Sequence, residues 1–199
     1  MFTGIVETQG KVVHRGRSVL RIAPRHPFSA VVLGESIAVD GVCLTLESLC
    51  EGILQFRLLP ETTRVSSLGA LKVGSKVNLE RSLKISDRVG GHLMLGHVDA
   101  RGILKRRIRK KGSQTLTIRV PQDISRWMVP KGPVGIDGVS LTLDPAMPDT
   151  ARVSGTDLNI RVHLVSHTAR VTTLGSKTIG SAVNLEADLV AKYLVRQAL

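Results

Sequence analysis

The chain has 199 residues, of which 42% are hydrophobic and 22% charged, a composition that excludes global disorder. Aromatic residues make up only 3%, so a core must be built from Val, Leu and Ile, which suits strands. The net charge of +12 makes nucleic acid the first partner to test, but three Phe, one Trp and one Tyr with no aromatic cluster leave no platform for stacking bases, and nucleic acid is not the expected ligand.

Met1–Glu7 has neither a basic nor an apolar leader region, so no secretory signal is expected. No apolar run approaches the roughly 18 residues of a membrane helix, so no membrane partner is expected. Short β-rich runs then follow at Gly10–Val13, Val19–Ile22, Ser36–Val39, Val42–Leu46 and Ile53–Leu58, separated by turns that contain glycine. Cys43 and Cys50 are an odd number of residues apart, which puts them on opposite faces of one strand and argues against a disulfide. Two thiols are also too few for a structural zinc site, so the chain reads as a reduced, cytoplasmic protein. Pro60–Leu68 and Val165–Leu174 begin with helix-starting residue types and read as single helical turns. His92 and His97 would oppose each other on a strand, so no metal site is expected. The densest basic run, Lys105–Lys111, reads as a solvated hairpin loop. Leu189, Val190, Tyr193 and Leu194 recur at helical spacing near the end and predict an amphipathic helix within Glu186–Arg196.

The chain also repeats itself. Asp40-Gly41-Val42-Cys43-Leu44-Thr45-Leu46 returns as Asp137-Gly138-Val139-Ser140-Leu141-Thr142-Leu143, and Leu58–Gly69 returns as Leu164–Gly175. Val77-Asn78-Leu79-Glu80 matches Val183-Asn184-Leu185-Glu186, and Gly4-Ile5-Val6 matches Gly96-His97-Val98. The wider second spacing places a longer hairpin within Asp144–Asn159, which is rich in turn-forming residues. Many short strands in each half predict two small barrels.

No glycine-rich phosphate cradle and no nucleophile elbow is present. The chemistry left is a matched pair of small polar groups. Cys43 and Thr45 share one strand face, as do Ser140 and Thr142. These strands look buried, so ordinary barrel filling is one reading. Equivalent placement in both halves favours the other, a duplicated ligand pocket.

The opening Met1–Glu7, the block at Asp40–Thr45, Gly90–Asp99, and Lys131-Gly132 followed by Asp137–Thr142 together resemble the riboflavin synthase family of lumazine-binding repeat proteins. The closing Thr172–Gly175 and Val183–Glu186 agree, so the resemblance spans nearly the whole chain. It implies an all-β protein: two tandem six-stranded Greek-key barrels with a C-terminal α-helix. The barrels would span residues 1–93 and 94–186, with a trimerisation helix at 187–199. It implies that two molecules of 6,7-dimethyl-8-ribityllumazine dismutate to riboflavin and a pyrimidinedione, with neither metal nor organic cofactor. The active site would lie between the first barrel of one subunit and the second barrel of its neighbour in a homotrimer, with lumazine synthase as a candidate partner. In this reading His97 transfers or relays a proton, Cys43 and Ser140 activate or hydrogen-bond the ring, Thr45 and Thr142 assist, and Ser36 supplies or positions a nucleophile. Substrate contacts would come from Gly4, Ile5, Val6, Cys43, Leu44, Thr45, Leu59, Pro60, Glu61 and Thr62 in the first half. Gly96, His97, Val98, Lys131, Ser140, Leu141, Thr142, His163, Leu164, Val165, Ser166, His167 and Thr168 would supply the rest. The chain departs from the family pattern at Leu95, where Ser is usual, at Asp40, where Asn is frequent, and at Ser166, where Pro is usual. The first departure is expected to remove a hydroxyl near the site and the second to alter the pocket's charge.

Overall fold

A computed structural model describes residues 1–146 and 158–197. The first half contains strands β1 (Thr8–Arg15), β2 (Val19–Pro24), β3 (Ser36–Val39), β4 (Val42–Cys50), β5 (Ile53–Arg57) and β6 (Lys76–Arg81). They close into a barrel in the order β1-β2-β5-β4-β3-β6. The second half repeats the set as β7 (Ala100–Lys110), β8 (Ser113–Val120), β9 (Pro133–Ile136), β10 (Val139–Thr142), β11 (Leu158–Val165) and β12 (Ala182–Ala187). Its order, β10-β9-β12-β7-β8-β11, is the same circle, brought together at its ends by the bridge Leu143–Val162. The expected long hairpin lies mostly outside the described residues.

Alternation accounts for both cores. Val42, Leu44 and Leu46 face one barrel interior, and Val139, Leu141 and Leu143 face the other. A bulge between Leu46 and Ser48 resets the alternation along β4, and both cysteines are free thiols. Each β3–β4-type hairpin turns on Asp-Gly with both residues at positive φ, as a two-residue turn requires. Helix α1 (Pro60–Val65) follows β5, and α3 (Ser166–Val171) follows β11, each leading into a 3-10 turn. A short α2 (Gln122–Ser125) precedes β9. Helix α4 (Leu189–Gln197) starts later than residue 187, because Glu186 and Ala187 still belong to β12. Among the described residues no helix is long and apolar enough to cross a membrane.

Two sequence expectations need correction. The basic run is not a loop: Lys105–Lys110 is the far half of β7, and only Lys111 lies in the turn. His92 and His97 do not oppose each other on a strand, since the segment between β6 and β7 is irregular apart from the bridge Phe2–Met94.

Candidate active site

The two halves exchange their leading segments. Gly4 O accepts from Ser140 N at 2.8 Å, and Gly96 O accepts from Cys43 N at 2.9 Å. Val6 packs against the core of the second barrel, and Val98 against that of the first. A buried carboxylate anchors each crossing. Glu80 accepts from Thr3 N (2.7 Å), Thr3 Oγ1 (3.1 Å) and Gly4 N (3.1 Å). Glu186 accepts from Leu95 N (2.7 Å) and Gly96 N (3.1 Å). Burial pushes both carboxyl groups above the usual range, and the N–H donors pull them back. Thr3 and Leu95 are equivalent, so the hydroxyl missing at Leu95 is one that would bond the buried Glu186, not a ligand.

Gly4 and Gly96 must be glycine. Both sit at positive φ, and a Cβ at Gly4 would lie 2.6 Å from Ser140 N and from Ser140 Cβ, while one at Gly96 would lie 2.6 Å from Cys43 Cβ. Gly4→Ala is expected to cost about 2–3 kcal/mol, a melting temperature lower by about 5–10 °C. An unchanged melt would mean that the crossing segment is not held this closely.

Each crossing borders a patch of polar side chains, or cup, on the outer face of a barrel. Cys43 is half-buried and Thr45 exposed on β4, opposite Ala38 and Ser36 of β3. Ser140 is half-buried and Thr142 exposed on β10. They therefore do not fill the barrels, contrary to their buried look in the sequence. Leu59 follows β5 and caps the start of α1. In the second half the bridge Leu143–Val162 joins the end of β10 to β11, and Val165 closes β11 at the cap of α3. Leu59 (61% exposed) and Val165 (60%) are apolar side chains left in solvent at matching points, where a flat ring could lie.

The other predicted residues distribute as follows. Leu44, Leu141 and Leu164 point into the cores, so only their backbone can meet a ligand. Ile5 and His97 are exposed at equivalent places on the two cups. Pro60 and Glu61 open α1 in solvent, Glu61 is held below the usual carboxylate range by its bond to Arg64, and Thr62 is half-buried. Lys131 is exposed, with its N–H on Leu143 O. His163 is exposed and lies 3.1 Å from Asp144 Oδ2, and His167 and Thr168 open α3. Ser166 gives both its N–H (3.2 Å) and its hydroxyl (3.0 Å) to Gly112 O, which a proline could not do. Among the described residues no three His, Cys, Asp or Glu side chains gather to hold a metal ion.

One residue was missed. His92 Nδ1 lies 2.7 Å from Ser140 Oγ, while His92 Nε2 is buried with no partner. Burial lowers its pKa below the usual imidazole value, opposed by Asp188. The Gly90-Gly91-His92 run pointed there, because Gly91 leaves the room: a Cβ on it would meet Thr3 O at 2.1 Å and Ser140 Oγ at 2.8 Å. The cups thus differ, one carrying a thiol and His97, the other a hydroxyl backed by His92.

Asp40 lies elsewhere than expected. It is buried at the pseudo-twofold axis, away from both cups, so it cannot set pocket charge. There Asn78 N donates to Asp40 Oδ1 (2.7 Å) and Asn184 N to Asp137 Oδ1 (2.8 Å), while Asn78 and Asn184 donate across to Asp137 O and Asp40 O (both 2.8 Å).

The lumazine binding domain family matches twice, over residues 3–82 and 95–188. A riboflavin synthase of Mycobacterium tuberculosis is 41% identical over 205 residues, covering 98% of this chain and 97% of the relative. The chain belongs to the riboflavin synthase family. Members from Bacillus subtilis (36% identical, 98% of this chain, 89% of the relative) and Escherichia coli (35%, 94% and 87%) extend the relationship. Crystal structures of LumP, with 6,7-dimethyl-8-(1'-D-ribityl) lumazine (TM-score 0.77) and with riboflavin (0.79), share the fold at 22% identity, covering 94% of this chain and 99% of theirs.

Proposed function

We propose that this protein is a riboflavin synthase. It takes two molecules of 6,7-dimethyl-8-ribityllumazine and moves a four-carbon unit from one to the other, giving riboflavin and 5-amino-6-(D-ribitylamino)uracil. The transfer balances without an oxidant or reductant. The observation that carries this reading is the pair of equivalent but chemically unequal cups. Two identical substrates must play different parts, donor and acceptor, and the Cys43–His97 cup and the Ser140–His92 cup offer them different surroundings. Stacking the rings supplies much of the rate, since it replaces a bimolecular encounter with a held geometry. The acidic methyl group of one lumazine loses a proton, with His97 as acceptor or relay, and the resulting carbanion attacks the other ring. Cys43 or Ser140 activates that ring, assisted by Thr45 and Thr142, with Ser36 beside Thr45.

The cups of one chain lie on separate barrels, so two rings meet only if a cup faces that of another subunit. Helix α4 leaves Val190, Tyr193 and Leu194 about 60% exposed on one stripe, which supports a homotrimer built on this helix. The two free thiols suit a cytoplasmic setting. Association with a lumazine synthase is a further part of the proposal.

The likeness to LumP supports a second reading, a chromophore carrier that binds lumazine without turning it over. The complete second cup favours the enzyme. Purified protein incubated with the lumazine is expected to produce flavin absorbance, with two lumazines consumed per flavin. Lumazine that binds but never yields flavin would decide for the carrier.

A further inference from the structure

The basic run of β7 has no part in either cup. Arg109 and Lys110 from this strand and Arg170 from α3 line a surface pocket of about 230 Å³ together with Ser113, Gln114 and Ser166. Among the described residues none of the three cations pairs with a carboxylate. Arg107 stands behind them and adds a fourth positive charge. Its guanidinium donates only to neutral acceptors: Gln114 Oε1, Leu174 O (2.8 Å), Gly175 O (3.0 Å) and Lys177 O (2.6 Å). Burial and, secondarily, the charge of Arg109 lower the Arg107 pKa. Because Arg107 holds the Gln114 amide oxygen, the amide nitrogen is the end left to donate.

The hairpin that carries the pocket differs from its first-half equivalent. Strand β7 has 11 residues where β1 has 8, so the second hairpin reaches further. Ser166 latches its tip through the two bonds to Gly112 O, whereas the equivalent Pro60 has no N–H to give. Replacing the family's usual proline with serine therefore ties the basic hairpin to the loop that lines the second cup.

We propose that Arg109, Lys110 and Arg170, with Ser113, Gln114 and Ser166, form a phosphomonoester subsite that takes a phosphate at the end of a ribityl chain held in the second cup. This rests on the proposed function, with Val165, Ser166, His167 and Thr168 among the substrate contacts of the second cup. The volume is below the roughly 300 Å³ of a pocket for a drug-sized molecule, and suits a phosphate and the last carbons of a polyol. No aromatic side chain lines it, so it offers no stacking surface for nucleic acid. Charge-assisted bonds to a dianion are the strong kind, and guanidinium groups suit it best.

Flavin fluorescence titrations at low salt test this, with riboflavin and riboflavin 5′-phosphate as probes and inorganic phosphate as competitor. The wild type is expected to bind the phosphorylated flavin about tenfold or more tightly than riboflavin. In Arg109→Gln/Arg170→Gln the two affinities become equal, with riboflavin affinity unchanged. Inorganic phosphate removes only the difference. Equal affinities in the wild type, or a preference that survives in the double variant, overturn the proposal. So does a single-stranded polynucleotide that competes better than the same concentration of inorganic phosphate. Failure to bind riboflavin at all sinks the synthase reading instead. The subsite is then decided by whether inorganic phosphate shifts the amide resonances of residues 109–114 and 166–170 in the wild type but not in the double variant.

Discussion

His92→Ala is expected to form flavin about a hundredfold more slowly than the wild type, with a modest change in KM. Ser140 reaches the second cup with its hydroxyl 2.7 Å from His92 Nδ1, and buried surroundings keep that imidazole neutral at pH 7. A neutral ring can accept the hydroxyl proton, or donate and so direct the oxygen lone pairs toward the ligand; both require Nδ1 in place. His92 is thus a positioning residue acting through Ser140. Ser140→Ala and the double variant should then be slowed about as much as His92→Ala, because residues working as a unit do not add. His92→Asn, which keeps a polar atom near the place of Nδ1, should recover part of the loss. Since the lowered pKa keeps the ring neutral to more acid pH, wild-type turnover should hold until the pH falls below about 6.5, the unperturbed imidazole value. Additive losses, or no recovery with Asn, would show that His92 acts by itself or only supports the fold.

The two barrels were legible because strand alternation is local. Asp-Gly-Val-Cys-Leu-Thr-Leu and its second copy state which side chains share a face, and the duplication picks out Cys43 and Ser140. The face itself was not legible. A run bounded by Val and Leu looks buried whichever way its polar members point, so alternation alone leaves barrel filling open for Cys43 and Ser140, and only their duplication favours the outward placement that they have. Matching whole blocks also drew Leu44, Leu141 and Leu164 into the ligand set, although alternation turns them inward. The exchanged segments gave no periodic signal, since Met1–Val6 and Gly91–Val98 form almost no regular structure and are held by Glu80 and Glu186 from far along the chain. His92 was lost for the same reason: its partner is 48 residues away, on another strand. Asp40 was expected to alter the pocket's charge, because nothing local announces that its turn packs against its own copy.

That packing makes Asp40→Asn a stabilising change whose size depends on pH. Asp40 and Asp137 are buried across the pseudo-twofold axis, and Gly41 and Gly138 touch there. One cation, Lys177, lies near both and bonds Asp137 Oδ2, so among the described residues Asp40 has the Asn78 N–H but no cation of its own. Burial first, and then the neighbouring Asp137, push the Asp40 carboxyl up to about 7, only partly offset by Lys177 and the Asn78 N–H. An acid whose pKa rises on folding binds its proton more tightly in the folded state. Its contribution is therefore fully present below about 3.8, the value of the unfolded chain, and is lost as the pH rises through about 7. Asparagine keeps the acceptor for Asn78 N and tolerates the positive φ of 46° at this turn position. It removes the titration. The expected gain for Asp40→Asn is about 2 kcal/mol at pH 8, or about 4–8 °C in melting temperature, shrinking toward zero by about pH 4–5. Melting curves of both proteins across pH 4–9 measure it. A gain independent of pH, or a loss at pH 8, would mean that the Asp40 carboxylate is well compensated where it lies and that the axis between the barrels does not sense protons.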